Sequence, residues 1–382
     1  MKVAILADFP LHAIPSLGEK FRRPGHYKSW FVPIAEAFAG MTDIDVHWIV
    51  LSSQFTTPTI VEWNRQTFHI LPTVPRYRAW TFFARDRVAL RHCLAEIQPE
   101  IVHGWGTEDV HGFAAVTSGL PHIVSMQGIL SYYMLKNRMH PREYCLGLVE
   151  LYVLRKAATI SVESAWGRDV ILCRNSRAHV ELVEYGVKEH FFNVQWQPDP
   201  QKPVAIFIGS ISPRKGIQDA IAAFRDPQLA HAELWIIGNK CGPWSEQLQH
   251  EASANVKWLG LLSPEEISER LSHAWCMVLP TRADTSPNVV KEARVIGLPV
   301  ISTPNGGQTT YVQHGENGFL VEPGDISSLT RHTVELLENL DKTKAYGACH
   351  HEEHRAALNP METARKFRSL YLAIANSAHQ IV

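Results

Sequence analysis

The sequence predicts an α/β protein made of two Rossmann-like, doubly wound halves. Short β-branched runs alternate with helix-compatible segments from end to end, the pattern of parallel sheets with crossover helices. The alternation breaks once, in a polar, proline-bearing stretch, and then restarts. A length of 382 residues also exceeds one typical core and suits two domains.

In the first half, KVAILAD, IDVHWIVLS, TFHILP, EIVHGWG, PHIVSMQG and ATISVES read as strands. The polar segment VQWQPDPQKP (194–203) predicts a linker, with domains over 1–195 and 203–361. Beyond it come the strand PVAIFIG, a helix from about Lys215 to Phe224, and the strand AELWIIG. A helix over SEQLQHEA, the strand NVKWLG and a helix over SPEEISERL follow. The run closes with WCMVLPT, a helix after Pro287, and LPVIST. The amphipathic stretch PMETARKFRSLYLAIANS predicts a last helix, about 362–382, long enough to run back onto the first half.

Composition bounds the partners. Apolar residues make up 45% and charged residues 20%, the usual mix for a soluble globular chain. A formal net charge of -1 supplies no bulk field toward nucleic acid, which is not an expected partner. The six cysteines are scattered without a CxxC pair, which fits reduced thiols. The opening MKVAILADFPLHAIP reads as a first strand rather than a signal peptide, and no run of about 18 apolar residues appears. A cytoplasmic protein is expected, with peripheral contact at the inner face of a membrane as a further option.

Open α/β sheets bind ligands at the carboxyl ends of their strands, so each candidate motif is judged by what precedes it. In FIGSISPRKGIQDAIAAF (207–224) a strand ends at Gly209, a loop carries Arg214 and Lys215, and Gly216 opens a helix. Two cations at a helix start suit a diphosphate, although an exposed Arg-Lys turn would look the same. In ADTSPNVVKEARVIGLPVI (283–301) Ser286 fits a helix N-cap and Pro287 the first helical position. Asp284 lies ahead of that helix start and Glu292 in its second turn. Helical side chains lean toward the N-terminus, so the two carboxylates can frame one ligand. Acids there accept hydrogen bonds from sugar hydroxyls, while a solvated helix face is the plainer alternative. In LPVISTPNGGQTTYVQHGENGFLVEPGD (298–325), Gly306-Gly307 and Gly315 to Gly318 mark loops.

In order and separation, these three segments resemble the carboxyl-terminal domain of family 4 of the retaining, GT-B-fold glycosyltransferases. The matching positions are Gly209 with Lys215-Gly216, Asp284 and Glu292, Gly297 with Pro299-Val300-Ile301, Gly306-Gly307, and Gly315, Gly318, Leu320, Val321 with Pro323-Gly324-Asp325. In the first half QPEIVHGWG and VEYGVKEHFF agree more weakly. The resemblance implies two Rossmann-like domains flanking a cleft, and transfer of a sugar from a nucleoside-diphosphate sugar to a glycan, lipid-linked glycan or small-molecule acceptor. It further implies a role in cell-surface polysaccharide or glycoconjugate synthesis. It implies that Lys215 contacts the donor diphosphate, Glu292 the ribose hydroxyls and Asp284 the transferred sugar. Gly209, Arg214, Leu259 and main-chain groups over Ser286, Pro287, Asn288 and Val289 complete the donor set. No metal or other cofactor is implied.

Three positions depart from that pattern. Ser210 stands for the usual arginine, with Arg214 a substitute cation; Asp284 stands for a glutamate; and Gln127 stands for a histidine and can donate a hydrogen bond but not act as acid or base. Acceptor-side candidates are His26, His103, Glu108 and Gln127. The departures keep other options open: a nucleotide-sugar epimerase or phosphorylase, or a catalytically silent nucleotide-sugar-binding subunit. Two further patterns read as ordinary surface. His350-x-x-Glu353-His354 is formally a zinc motif but suits a solvated helix face. The basic, aromatic stretch 75–92 suits either a half-buried helix or contact with anionic lipid or a phosphorylated acceptor.

Overall fold

The computed structural model describes residues 1–18, 28, 30–136, 140–240 and 242–379. The chain divides into two compact units, and His26 lies outside the described residues. One unit takes in the leading strand, Lys28–Gly186 and the chain from Pro360 onward; the other contains Val187–Asn359.

The first unit is built on strands β1 (Lys2–Leu6), β2 (Asp45–Ser52), β3 (Thr59–Trp63), β4 (Gln66–Pro72), β5 (Ile101–Trp105), β6 (His122–Ser125), β7 (Thr159–Val162) and β8 (His179–Leu182). Their order in the sheet is β3-β4-β2-β1-β5-β6-β7-β8. All neighbours are parallel except β3 and β4. That edge hairpin escapes the alternation pattern because it has no helix: Asn64 and Arg65, at φ 48 and 58, turn the chain back in two residues.

An aromatic core of Phe9, Phe31, Trp48, Phe68 and Trp105 fills one face of this sheet. The terminal helix Pro360–His379 adds Ala364, Phe367 and Tyr371 to it, none of them exposed. Gly186 accommodates the return, since a Cβ there would lie 2.4 Å from Cα of Pro360. Thr363 fastens it by accepting from the Gly186 amide at 2.9 Å and donating to the Glu184 carbonyl at 2.7 Å.

The second unit begins at Val187, ahead of the segment 194–203 expected to be the linker. That segment belongs to the second unit because Val194 and Trp196 pack against its core and Trp196 donates to the Ala274 carbonyl at 2.7 Å. Strands β9 (Val204–Ile208), β10 (Glu233–Ile237), β11 (Val256–Gly260), β12 (Cys276–Val278), β13 (Val300–Ser302) and β14 (Gly318–Leu320) form an all-parallel sheet in the order β11-β10-β9-β12-β13-β14. Chain direction across this sheet reverses between β9 and β12, so the loops after these two strands border a crevice at the switch point.

Among the described residues no helix is long and apolar enough to cross a membrane. Cys93, Cys145, Cys173, Cys276 and Cys349 are free thiols; burial pushes Cys93 up to about 12.

Candidate active site

The two loops at the switch point of the second unit are locked together. After β9 the chain passes Gly209 and makes the short turn Pro213–Lys215, closed by Gly216 at φ +73. A Cβ on Gly216 would lie 1.9 Å from the Pro280 carbonyl oxygen, so this turn sits directly on the loop that follows β12. The Arg282 amide donates to the Arg214 carbonyl at 2.8 Å, and the Arg214 guanidinium returns a bond to the Ala283 carbonyl at 2.9 Å. The Arg282 side chain spans Asp219, 3.0 Å away, and the Pro213 carbonyl. A third loop closes on the same place: the Gly307 amide donates to the Asp284 carbonyl at 2.8 Å, while Gly306, at φ +145, lies where a Cβ would stand 2.1 Å from that oxygen.

This clamping brings Lys215 and Asp284 into an ion pair, their side chains only 14% and 15% exposed. Burial pushes the Asp284 carboxyl upward, but the Lys215 ammonium, Arg214 and the Ser286 amide outweigh it and hold it below the usual range. Asp284 is therefore a carboxylate, and the loop carries two cations beside it.

The helix Asn288–Ile296 starts next, with Pro287 as its N-cap. The sequence predicts Ser286 in that position. Instead its hydroxyl lies 3.4 Å from the Tyr311 hydroxyl, and no side chain caps the helix. The amides of Val290 and Lys291 turn back to the Pro287 carbonyl, so the first amides, on Asn288 and Val289, form the open positive end. Glu292 is 5% exposed, and its Oε2 is buried without a hydrogen-bond partner among the described residues. Burial pushes its carboxyl up to about 7, against the opposing pull of Lys188 and Lys291. A buried carboxylate oxygen of this kind, beside a helix start, is suited to accept from a ligand's hydroxyl.

Sequence reading missed three members of this site. Lys291 is fully buried, with its ammonium 3.2 Å from Asn288 Oδ1 and 5.9 Å from the centre of the Tyr311 ring. Tyr311 and Lys188 carried no spacing signal, because the relation of Tyr311 to Lys291 and of Lys188 to Glu292 arises only from packing. Of the other donor candidates, Gly209 has room for a side chain, since a Cβ there would meet nothing closer than 3.8 Å. The tight approach is made by Gly238, where a Cβ would lie 1.9 Å from the Gly209 carbonyl oxygen. Leu259 is half-buried at the end of β11, next to Gly260 at φ +75.

In the first unit Glu108 and Gln127 converge around Gly106, where a Cβ would lie 2.9 Å from Glu108 Oε2 and 3.4 Å from Gln127 Oε1. Glu108 accepts from the Gly128 amide at 2.6 Å. His103 does not join them. It is unexposed in the core, bridging the Tyr371 hydroxyl at 2.7 Å and the Ser125 hydroxyl at 2.6 Å, and burial lowers it to about 3. The β5 position that makes it look accessible in sequence points into the sheet face covered by the terminal helix. Glu150, unsignalled in sequence, supports the neighbouring loop by accepting from Thr107 at 2.7 Å and the Ser131 amide at 2.8 Å.

The His350-x-x-Glu353-His354 pattern does not form a simple wet face. His354 is buried and 3.3 Å from Asn317, whereas His350 lies 2.9 Å from both Glu353 and Glu316. Ligand atoms of Glu316, Cys349 and His350 lie within 4.8 Å of one another, the one grouping of metal-ligating type among the described residues. Both ring nitrogens of His350 already serve carboxylates, which raise its basicity.

Residues 189–349 match the family described as glycosyl transferases group 1. The sulfoquinovosyl transferase SQD2 of Arabidopsis thaliana is 26% identical over 282 residues, covering 68% of this chain and 54% of that protein. This chain thus spans about half the length of that relative. Among solved structures, a sucrose-phosphate synthase from Thermosynechococcus elongatus superposes with a TM-score of 0.81 at 18% identity, over 99% of this chain and 100% of that one. The Anabaena protein HepE, solved in complex with UDP-glucose, gives 0.72 at 15% identity, over 98% and 100%. The second unit therefore carries the glycosyl transferases group 1 match, and the whole chain has the GT-B fold.

Proposed function

We propose that the protein is a nucleoside-diphosphate-sugar-dependent, retaining glycosyltransferase of family 4. The observation that carries this reading is the Lys215–Asp284 pair beside an uncapped helix start, with Glu292 Oε2 one turn further on, buried and without a partner among the described residues. In this reading Lys215, Arg214 and the first amides of the Asn288 helix bind the diphosphate, and Glu292 accepts from the ribose hydroxyls. Asp284 holds the Lys215 ammonium in place and offers its remaining lone pairs to the transferred sugar.

In this reading the acceptor hydroxyl oxygen bonds to the anomeric carbon as the bond from that carbon to the phosphate oxygen breaks. The acceptor proton passes to the departing phosphate on the same face, so configuration is retained and no side-chain base is required. The chain's own cations and helix amides neutralise the leaving group, and no resident cofactor is invoked. Glu108 and Gln127 remain the acceptor-side candidates. The fold's likeness to a protein that holds UDP-glucose makes UDP-sugars the first donors to try, followed by GDP- and ADP-sugars.

Calorimetric titration with these donors, followed by product analysis with sugar and glycolipid acceptors, tests the reading. Binding plus transfer with a retained anomeric centre supports it. Release of nucleotide with an altered sugar and no acceptor identifies an epimerase instead, binding without turnover identifies a silent subunit, and no nucleotide binding overturns all three.

A further inference from the structure

The first unit carries an exposed apolar face that none of the proposed chemistry uses. Two segments build it. The turn Ala79–Thr81 and its flanks present Tyr77, Trp80 and Phe82 to solvent, at 66%, 55% and 50% exposure. The helix Pro141–Lys156 presents Tyr144, Leu148 and Tyr152, a stripe at four-residue spacing along one side, with Leu148 58% exposed. The segments touch: Cys145 Sγ lies 3.2 Å from the Ala79 carbonyl oxygen. The Tyr152 ring meets Phe113 edge-on at 5.5 Å, and the Arg87 guanidinium lies 4.4 Å from the Phe113 ring, which joins the stripe to the helix Ala84–Ile97. That helix turns Arg85, Val88 and Arg91 outward.

The charge on this face is one-sided. Residues 75–92 hold five arginines against one acid, Asp86, in a chain whose net charge is -1. Asp86 is buried and spent on Arg78, at 2.6 Å, which also forks onto Asp109. Arg76, Arg85 and Arg91 are left exposed around the aromatic rings, with Arg76 lying 5.7 Å from the Tyr77 ring. Two of the exposed rings, Tyr77 and Phe82, stand on residues with positive φ, a conformation that non-glycine residues adopt at a cost, while Phe83 between them and the helix turns into the core.

We propose that this face docks on an anionic lipid bilayer. Tyrosine and tryptophan rings with a polar tip suit the headgroup boundary, leucine and phenylalanine suit the acyl margin beneath it, and arginines suit lipid phosphates. A second copy of the chain fits worse, because a twofold contact of the face with itself sets the same arginines against one another. The proposal is independent of donor chemistry, so vesicle binding and glycosyl transfer succeed or fail separately.

The experiment is flotation of the intact chain with phosphatidylcholine vesicles, with and without phosphatidylglycerol, at low and high salt. Wild type is expected to float with phosphatidylglycerol vesicles and to be released by salt. Trp80→Ser with Leu148→Ser, and separately Arg76→Glu with Arg91→Glu, should each cut partition by roughly tenfold or more. Both variants change exposed positions, and unchanged thermal unfolding shows that they fold. Arg331→Glu, an exposed arginine of the second unit, should float like wild type. The proposal is overturned if wild type ignores anionic vesicles, if Arg331→Glu is as impaired as the face variants, or if wild type is a dimer that Leu148→Ser makes monomeric.

Discussion

Lys215 and Asp284 stand 69 residues apart in sequence and are ion-paired across two loops that leave adjacent strands of one sheet. Neither loop alone makes a site. The pair exists because Gly216 lets the first loop lie on Pro280 and Gly306 lets a third loop lie on Asp284.

Replacing Lys215 by alanine should lower kcat/KM for the donor by about 10²-fold, the usual loss for one charge-stabilising group. Far-UV circular dichroism should be unchanged. Wild-type turnover in this variant would remove Lys215 from the donor site.

Asp284→Asn leaves the Lys215 ammonium largely buried without its carboxylate. The loss at neutral pH should be about 1–3 kcal/mol, below that of a fully enclosed pair. Because the folded Asp284 value lies below the unfolded one, its stabilisation is present above the unfolded value and disappears as pH falls through the folded value. Urea unfolding of the two proteins should therefore differ at pH 7 and converge in strong acid.

Glu292 behaves oppositely. Burial lifts it from 4.5 to about 7, so between those values the folded chain holds a proton that the unfolded chain has lost. Stability falls as pH rises across that window. Glu292→Gln should unfold at the wild-type temperature near pH 4 but a few degrees higher at pH 8, on the order of 3 kcal/mol at most. Equal melting at pH 8 would show that the ligand-free carboxyl is not strained by burial.

Gly216→Ala and Gly315→Ala form a matched pair. Both sites have positive φ, but only the Gly216 Cβ meets backbone, whereas nothing lies within 4 Å of a Cβ at Gly315. Gly315→Ala should cost about 1–2 kcal/mol of left-handed strain, and Gly216→Ala clearly more. Donor affinity should drop only in the Gly216 variant.

Tyr371→Phe removes the partner of His103 Nδ1 in an unexposed setting. A loss of about 1–3 kcal/mol is expected by chemical denaturation. No loss would mean that His103 is satisfied by Ser125 alone.

The periodic features were legible because they follow from local chemistry. Alternating strands and helices announced two doubly wound sheets, and the run from Asp284 to Ile301 gave a helix start one residue from its true place. What escaped depended on close packing between distant segments. The β3–β4 hairpin lacks a crossover, so alternation could not register it. His103 read in sequence as a strand-end residue, where ligands commonly bind, yet it lies in the middle of β5 on the face that the terminal helix covers. The helix that carries Lys291 could equally have been a solvated face, and only its packing beside Tyr311 reveals Lys291 as buried.

The return of the terminal helix to the first unit has a consequence for synthesis on the ribosome. Val187–Asn359 is one unbroken stretch of chain, while the first unit needs residues on both sides of it. The second unit can therefore complete its core as soon as it emerges. The first must wait, with Trp105 and His103 uncovered, until Phe367 and Tyr371 have been made. Nascent chains stalled just before Pro360 should then show a protease-resistant second unit following a protease-sensitive first one.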